Sequence, residues 1–414
     1  MLKIYFKTFG CRTNIYDTEL IKSYIKSYKI TNNENEADII VVNSCTVTNG
    51  ADSGVRSYIN QVKNSGKKVV LTGCGAVSKG EELFKKSSVF GVLGASNKSK
   101  IDEFLNLQNR FFELGDLNFI DKNIVSNYEN HTKAFIKIQE GCNFKCSYCI
   151  IPSVRGKSRS IDEEVILKEA QILASNGYNE IVLTGTNIGS YGEEKSSSLG
   201  KLLQKLGSIK GIKRIRLGSI EPSQIDESFR EILQESWLEK HLHIALQHTS
   251  QTMLDIMRRR NRAFKDIELF NELSNLGFAL GSDYIVAHPG ESEEVWEEGL
   301  ENFKKFPITH LHAFIYSPRS GTHSASMKIN VDGIVAKNRL KTLKNITFVN
   351  NFEFRKRNKT NLSILVEKQG NDGLYDGFDQ FYNKIKIKSD KDISKEWIEL
   401  SNYEVKPDEN YAEI

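Results

Sequence analysis

The chain has 414 residues, of which 57 are Lys or Arg and 53 Asp or Glu, giving a net charge of +4. That length predicts two or three domains, and so small a basic excess neither requires nor excludes nucleic acid. No apolar run reaches membrane-spanning length, and the opening Met1-Leu2-Lys3-Ile4-Tyr5-Phe6 lacks the apolar core of a signal peptide. A cytoplasmic protein with no membrane partner is expected.

Residues 3–10, 38–44 and 68–73 each read as a strand, and each leads straight into a cysteine, Cys11, Cys45 and Cys74. Helix-compatible stretches follow at 17–28 and 52–64. Strand, cysteine, helix is the rhythm of an open α/β sheet with parallel strands, where ligands collect at the carboxyl ends. Any one of these cysteines could be a small buried hydrophobe. Their shared strand-end position, with Gly10, Gly73 and Gly75 beside two of them, predicts a convergent metal site in a domain spanning 1–125. Between Asp116 and His131 the chain is polar (Asn118, Asp121, Asn123, Ser126, Asn127 and Asn130) and reads as a linker.

Next comes Gly141-Cys142-Asn143-Phe144-Lys145-Cys146-Ser147-Tyr148-Cys149. Three thiolates so close on one loop can reach three irons of a cubane cluster, leaving the fourth iron free to bind and activate a ligand. A zinc knuckle is the alternative, but zinc takes a fourth nitrogen or sulfur ligand and no His or Cys closely follows Cys149. Strand-like runs recur at 135–139, 180–185, 214–219, 243–247, 280–287 and 310–316, with helical stretches between them. Six β/α repeats over residues 132–358 predict a partial, open (β/α)6 relative of the eight-fold TIM barrel, with its chemistry at the strands' carboxyl ends. Thr184, Gly185, Glu221, Gln247 and Arg319 fall at those ends, and Arg155 follows the cysteine loop. His241 with His243, and His310 with His312, alternate like metal ligands on a strand. Packing, with the ring nitrogens bonded to backbone, is the expectation for them. Arg258-Arg259-Arg260 and the group around Arg355 are the densest basic clusters; beside a mouth they suit phosphate contact, though solvated surface is the usual fate of charge runs.

Residues 361–367 and 375–380 flank the turn Gly370-Asn371-Asp372-Gly373, and 383–388 alternates strictly with a lysine face. Short strands and turn signals predict a small antiparallel β-barrel over 360–414.

The central motif, with Tyr148 before its last cysteine, resembles that of the radical S-adenosylmethionine enzymes. Thr8-Phe9-Gly10-Cys11-Arg12-Thr13-Asn14 with Asp17 and Glu19, Asn43-Ser44-Cys45-Thr46-Val47-Thr48, and Leu71-Thr72-Gly73-Cys74 resemble the three cysteine motifs of the methylthiotransferases, a branch of those enzymes. Cys45-Thr46-Val47-Thr48-Asn49 with Ala51, Asp52 and Arg56 looks most like the subgroup that modifies N6-threonylcarbamoyladenosine in tRNA, although Arg12-Thr13 stands where Lys-Val is often seen. Leu365-Val366-Glu367 and the glycine-bearing strand after it resemble the TRAM domain, an RNA-binding module.

The resemblance implies an α/β protein with two 4Fe-4S clusters. Cys142, Cys146 and Cys149 would hold the one that binds S-adenosylmethionine. Cys11, Cys45 and Cys74 would hold an auxiliary cluster where the transferred sulfur is presented. Contacts with S-adenosylmethionine are expected from Thr184, Gly185, Glu221 and Gln247, and RNA contacts from Arg155, Arg258, Arg259, Arg260, Arg319 and Arg355. The implied activity is methylthiolation of N6-threonylcarbamoyladenosine at position 37 of the tRNA anticodon loop. Its partners would be tRNA, not DNA, and a reducing electron donor such as a flavodoxin or ferredoxin. Sister activities on isopentenyladenosine in tRNA or on a ribosomal-protein aspartate stay open. So does a non-catalytic, metal-containing RNA-binding protein.

Overall fold

The computed structural model describes residues 1–129, 131–329 and 331–414, without the side chain of Asn49; Asn130, counted above in the linker, lies outside the described residues. The first third runs β1 (Lys3–Thr8), α1 (Arg12–Ser23), β2 (Lys29–Ile30), β3 (Ile39–Ser44), α2 (Asn49–Lys63), β4 (Lys68–Gly73), α3 (Cys74–Lys85), β5 (Gly91–Leu93), α4 (Ile101–Leu105) and β6 (Phe111–Glu113). Its strands form one parallel sheet in the order β2-β1-β3-β4-β5-β6. Such a sheet needs cover on both faces, and the continuous run Ile39-Ile40-Val41-Val42 in β3 supplies it, feeding two separate apolar clusters. The strand order reverses between β1 and β3, so a crevice opens beyond their carboxyl ends. Cys11 and Cys45 follow those two strands.

The first helix starts at Arg12, not near Asp17 as the sequence suggests. Gly10 turns the chain sharply at φ +94, and Cys11 takes the N-cap position. Asp17 reads as a helix-opening acid, yet it is fully buried in mid-helix among cations.

The middle runs β7 (Ala134–Lys137), β8 (Gln139–Glu140), α5 (Ile151–Arg155), β9 (Arg159–Ser160), α6 (Glu163–Ser175), β10 (Glu180–Thr184), α7 (Leu199–Gly207), β11 (Arg214–Leu217), α8 (Glu227–Glu231), β12 (His241–His243), α9 (Gln251–Ile256), α10 (Ala263–Asn275), β13 (Ala279–Val286), α11 (Glu293–Phe303) and β14 (Ile308–Ile315). Strands β7, β10 and β11 pair in parallel, as do β12, β13 and β14. Parallel bridges Ile215↔Leu238 and Ile220↔Ile244 carry the pairing from one group to the other. The result is the open six-stranded barrel expected. The segment read as a linker is not loose: Val125 and Tyr128 are buried in the barrel's apolar core.

Helix α12 (Gly333–Arg357) then packs along β14. Its apolar residues scatter, with Ile334, Val335, Phe348 and Val349 exposed, so no apolar stripe marks it in the sequence. The tail is β15 (Leu362–Gln369), β16 (Tyr375–Phe378), β17 (Lys384–Lys388), β18 (Trp397–Leu400), β19 (Glu404–Val405) and β20 (Asn410–Glu413). The order β18-β15-β16-β17-β20-β19 makes a curled sheet, a half-barrel rather than a closed one, and β17 pairs with β20 in parallel. The lysine face of β17 is paired: Lys384 and Lys386 both meet Asp376, with Glu409 and Asp372 beside them. Among the described residues no helix is long and apolar enough to cross a membrane.

One buried acid reports on the packing of the connecting segment. Glu169 in α6 accepts the Val125 amide at 2.8 Å, and burial pushes its carboxyl up to about 8. A carboxyl whose folded value is raised contributes stability at low pH that is lost as pH climbs through that value. Unfolding free energy should therefore fall between about pH 4.5 and 8. In Glu169→Gln that slope should flatten and stability at pH 8 should rise, measured by urea unfolding across pH.

Candidate active site at the domain junction

The loop carrying Cys142, Cys146 and Cys149 is closed at its base by the short antiparallel pair β8–β9. Gly141 sits at φ +75, and a Cβ there would lie 1.9 Å from the Lys157 carbonyl, so only glycine lets the loop's two ends meet. The Cys142 amide donates to Gly156 O at 3.1 Å, and Thr186 Oγ1 and Gln139 Nε2 both donate to Gly141 O. Inside the loop, Phe144 N donates to Cys142 Sγ at 3.4 Å, and Asn187 Nδ2 approaches the same sulfur at 3.6 Å. The far side is held by distant segments. Ser147 N donates to Met257 O, and Ser324 N donates to Ser147 O. His288 Nε2 lies 2.8 Å from Ser324 Oγ, whose hydroxyl is 2.8 Å from Ser147 Oγ.

The other triad stands opposite. Cys11 caps α1, Cys45 follows β3, and Cys74 opens α3 at the end of β4. A Cβ on Gly10 would fall 2.3 Å from Cys45 Cβ, so glycine is what lets the first two cysteine segments approach. Cys74 packs against Ile150 and Val154, which follow directly on Cys149. Cys11 is exposed and Cys45 and Cys74 are buried, and all six cysteines are unbridged.

These thiols are poor nucleophiles on their own. Burial pushes Cys45 up to about 11 and Cys149 up to about 12, and raises Cys74 and Cys142 as well. A bound metal deprotonates such a thiol outright. Three unbridged cysteines in each set are the donor type that a cubane cluster takes, with one iron left open.

Arg155 joins the two halves. Its Nε lies 3.1 Å from Cys74 Sγ; Nη1 donates to Asp17 Oδ2 at 2.8 Å and Glu140 Oε1 at 2.6 Å; Nη2 donates to Asn14 Oδ1 at 2.7 Å. Lys137 bonds Asp17 and Glu140, and Lys98 bonds Asp17 at 2.5 Å. All five charged side chains are buried. Two further links cross the junction, Thr13 Oγ1 to Thr184 Oγ1 at 2.9 Å and Arg319 Nη1 to Asp52 Oδ2 at 2.5 Å.

The polar residues expected at the mouth separate accordingly. Thr184 is buried and engaged with Thr13, and Gly185 lies against Gln139 O. Glu221 is partly exposed and forms a two-pronged pair with Arg259, whose Nη1 also lies 3.8 Å from Cys146 Sγ. Gln247 adopts φ +68 at the end of the fourth barrel strand. The six arginines named as RNA candidates divide between interior and surface. Arg155, Arg259, Arg319 and Arg355 are buried on protein partners, Arg355 stapling α12 to Lys406 O, Pro407 O and Asn410. Only Arg258 and Arg260 of the set stand exposed, Arg260 over the Phe144 ring at 4.1 Å. The histidine expectation fails in part: among the described residues His241 Nε2 and His243 Nε2 are buried with no backbone hydrogen bond, and His243 Nε2 faces Asp283 Oδ1 at 3.2 Å. The Arg155 junction escaped sequence reading because its five charges come from four separate stretches of chain, around Asp17, Lys98, Lys137 with Glu140, and Arg155.

An open parallel barrel with a three-cysteine loop after its first strand, fronted by a parallel-sheet domain with three more cysteines, defines a radical S-adenosylmethionine protein of two-cluster type. The Radical SAM superfamily model matches residues 136–302, and the model of an uncharacterized protein family, UPF0004, matches 3–94. A Helicobacter pylori (strain J99) protein named as a methylthiotransferase is 49% identical over 417 residues, covering 100% of both chains. The threonylcarbamoyladenosine tRNA methylthiotransferase MtaB of Aquifex aeolicus is 36% identical, covering 86% of this chain and 91% of its own. A tRNA-2-methylthio-N(6)-dimethylallyladenosine synthase of Thermosipho melanesiensis is 33% identical, covering 95% and 94%. Among solved structures, the radical S-adenosylmethionine methyltransferase TsrM of Kitasatospora setae aligns with TM-score 0.61 at 13% identity, over 78% of this chain and 77% of that one, a likeness of fold. The chain belongs to the radical S-adenosylmethionine methylthiotransferase family, and it is a transferase. The family uses S-adenosylmethionine and a 4Fe-4S cluster, with a second iron–sulfur cluster in its methylthiotransferases.

Removing the guanidinium should be costly at this junction. Arg155→Gln takes the guanidinium donors from Asp17, Glu140 and Asn14 while Lys98 and Lys137 still pair both carboxylates, and should cost about 1–3 kcal/mol in urea unfolding. Arg155→Lys should recover only a minor part, since one ammonium cannot reach four partners in a plane.

Proposed function

We propose that the protein converts N6-threonylcarbamoyladenosine at position 37 of tRNA to its 2-methylthio derivative. The observation that carries this reading is the placement of two three-cysteine sites on either side of one buried junction, Arg155 touching one and following directly on the other. In it Cys142, Cys146 and Cys149 hold the cluster that binds S-adenosylmethionine, and Cys11, Cys45 and Cys74 hold the auxiliary one. When bound, these groups supply the one-electron chemistry and the sulfur that side chains lack, and the substituted ring carbon bears an inert C–H bond.

The protein's own contribution is position. The Glu221–Arg259 pair beside Cys146 offers opposite charges to the amino and carboxylate groups of S-adenosylmethionine. Gln247, Thr184 and Gly185 line the same strand ends. Arg258 and Arg260, exposed on either side of Arg259, are placed for anticodon-stem phosphates. A base in a single-stranded loop can be splayed out to reach the junction. The substrate sets the reaction in the cytoplasm, with a flavodoxin or ferredoxin as electron donor. The Thr46-Val47-Thr48 run after Cys45 favours threonylcarbamoyladenosine over isopentenyladenosine, the second reading.

Three measurements test this. Anaerobic reconstitution should give about eight irons per chain, falling to about four in the Cys142/Cys146/Cys149 triple alanine variant. A fall from about four to none would remove the auxiliary site. Nucleoside mass spectrometry on tRNA from a deletion strain should then show loss of 2-methylthio-N6-threonylcarbamoyladenosine; loss of the isopentenyl derivative instead would establish the second reading. Replacing Cys11, Cys45 or Cys74 singly should spare 5′-deoxyadenosine release while abolishing sulfur insertion.

A further inference from the structure

Away from the cysteines, three neighbouring barrel strands gather a different donor set. The register pairs His243 with Gly281 across β12–β13, and Gly281 with His310 and Asp283 with His312 across β13–β14. Side chains alternate along a strand, so His241, His243, Asp283, His310 and His312 share one face. The opposite face carries Leu242, Leu280 and Tyr284 into the helical layer, where Tyr284 meets Phe303 of α11 at 5.6 Å. The histidines therefore face the barrel lumen.

Gly281 makes the space, since a Cβ there would lie 2.8 Å from His243 Nδ1 and 2.9 Å from His241 Nε2. His243 Nε2 stands 3.2 Å from Asp283 Oδ1, and His312 Nδ1 stands 3.7 Å from the same oxygen. One ligand atom from each of the three lies within 4.8 Å of the other two. His243 is only 8% exposed, and among the described residues its Nε2 has the Asp283 carboxylate beside it and no hydrogen-bond partner of good geometry. Tetrahedral zinc with bonds of about 2.0–2.1 Å sets its ligand atoms about 3.4 Å apart, close to the two separations from Asp283. The third edge would close by a rotation of His312, whose side chain is 65% exposed and whose ring lies 4.9 Å from that of His243.

We propose that His243, Asp283 and His312 bind a divalent transition-metal ion, separately from the cysteine sites. Two imidazoles and one carboxylate suit zinc or ferrous iron over calcium or magnesium, and three protein ligands leave a position open toward the exposed His312 side.

The test uses the full chain, anaerobically loaded with iron, stripped over chelating resin and dialysed against zinc. Metal analysis should find one zinc per chain above the iron, and zinc absorption spectroscopy should show nitrogen and oxygen neighbours without sulfur. Asp283→Asn and the exposed-site variant His312→Ala should each weaken zinc at least about tenfold while iron stays unchanged. His312→Ala removes little packing, so it keeps the test sound if Asp283→Asn misfolds. Zinc bound equally by wild type and both variants would mark an adventitious ion only and overturn the proposal. So would sulfur ligation, or no zinc retained.

Discussion

Five ionised side chains out of water at one seam are what the rest of the architecture rests on. Asp17 and Glu140 supply two negative charges; Lys98, Lys137 and Arg155 supply three positive ones. Taking each ion out of water costs several kcal/mol, and only close mutual pairing offsets it. The responses of the individual groups follow. Burial opposes ionisation of Asp17, yet Lys137, Lys98 and Arg155 hold its carboxyl well below the usual range. Burial pulls Lys98 down to about 8, while Asp17 and Glu140 hold Lys137 above its ordinary value. One positive charge is left over, and Arg155 Nε directs it at Cys74 Sγ. An excess cation facing a cysteine is balanced once that sulfur is a thiolate bound to metal.

Because the seam closes only when α1, the segment around Lys98, β7, β8 and α5 are all in place, it fixes more than stability. Asp17 lies six residues after Cys11, Glu140 two before Cys142, and Arg155 six after Cys149. The charges therefore set the relative placement of the two triads, while the local contacts to Met257 and Ser324 fix the shape of one loop alone. Separating the halves would expose unpaired buried ions, so the seam opposes any displacement of one site from the other. A shared rigid seam is what a reaction needing two sites in sequence on one substrate requires.

Legibility in the sequence followed the range of the determining force. The strands before Cys11, Cys45 and Cys74 stand out because parallel strands buried on both faces need continuous apolar runs. Among the barrel strands β10 is legible for the same reason, whereas β11 and β12 alternate apolar residues with Arg or His. Where tertiary contacts decide, local pattern misleads: Asp17 resembles a helix start, and Val125 and Tyr128 are the apolar minority of a segment that reads as a linker. Helix α12 and the strand pairing that leaves the tail a half-barrel have no periodic signal. The cysteine positions were plain, but nothing local in Lys98, Lys137 or Arg155 announces that they share one carboxylate.

The basic run at 258–260 shows how charge in sequence differs from charge in space. Arg258 takes φ +55 and points outward, Arg259 turns inward to Glu221 and Ala245 O, and Arg260 lies outside over Phe144. Three consecutive arginines thus divide between an internal ion pair next to Cys146 and two surface cations flanking it. The same division runs through the molecule, with Arg216 enclosed by Glu180 and Glu239, and Arg339 by Glu291 and Glu293. Enclosed charges cancel in pairs and exert little field outside. The field that a polyanion meets near the junction comes from the few exposed cations at its rim, Arg258, Arg260 and Lys145 among them. A net charge of +4 therefore says little about RNA binding, and the position of these rim cations beside the open cysteine loop says much more.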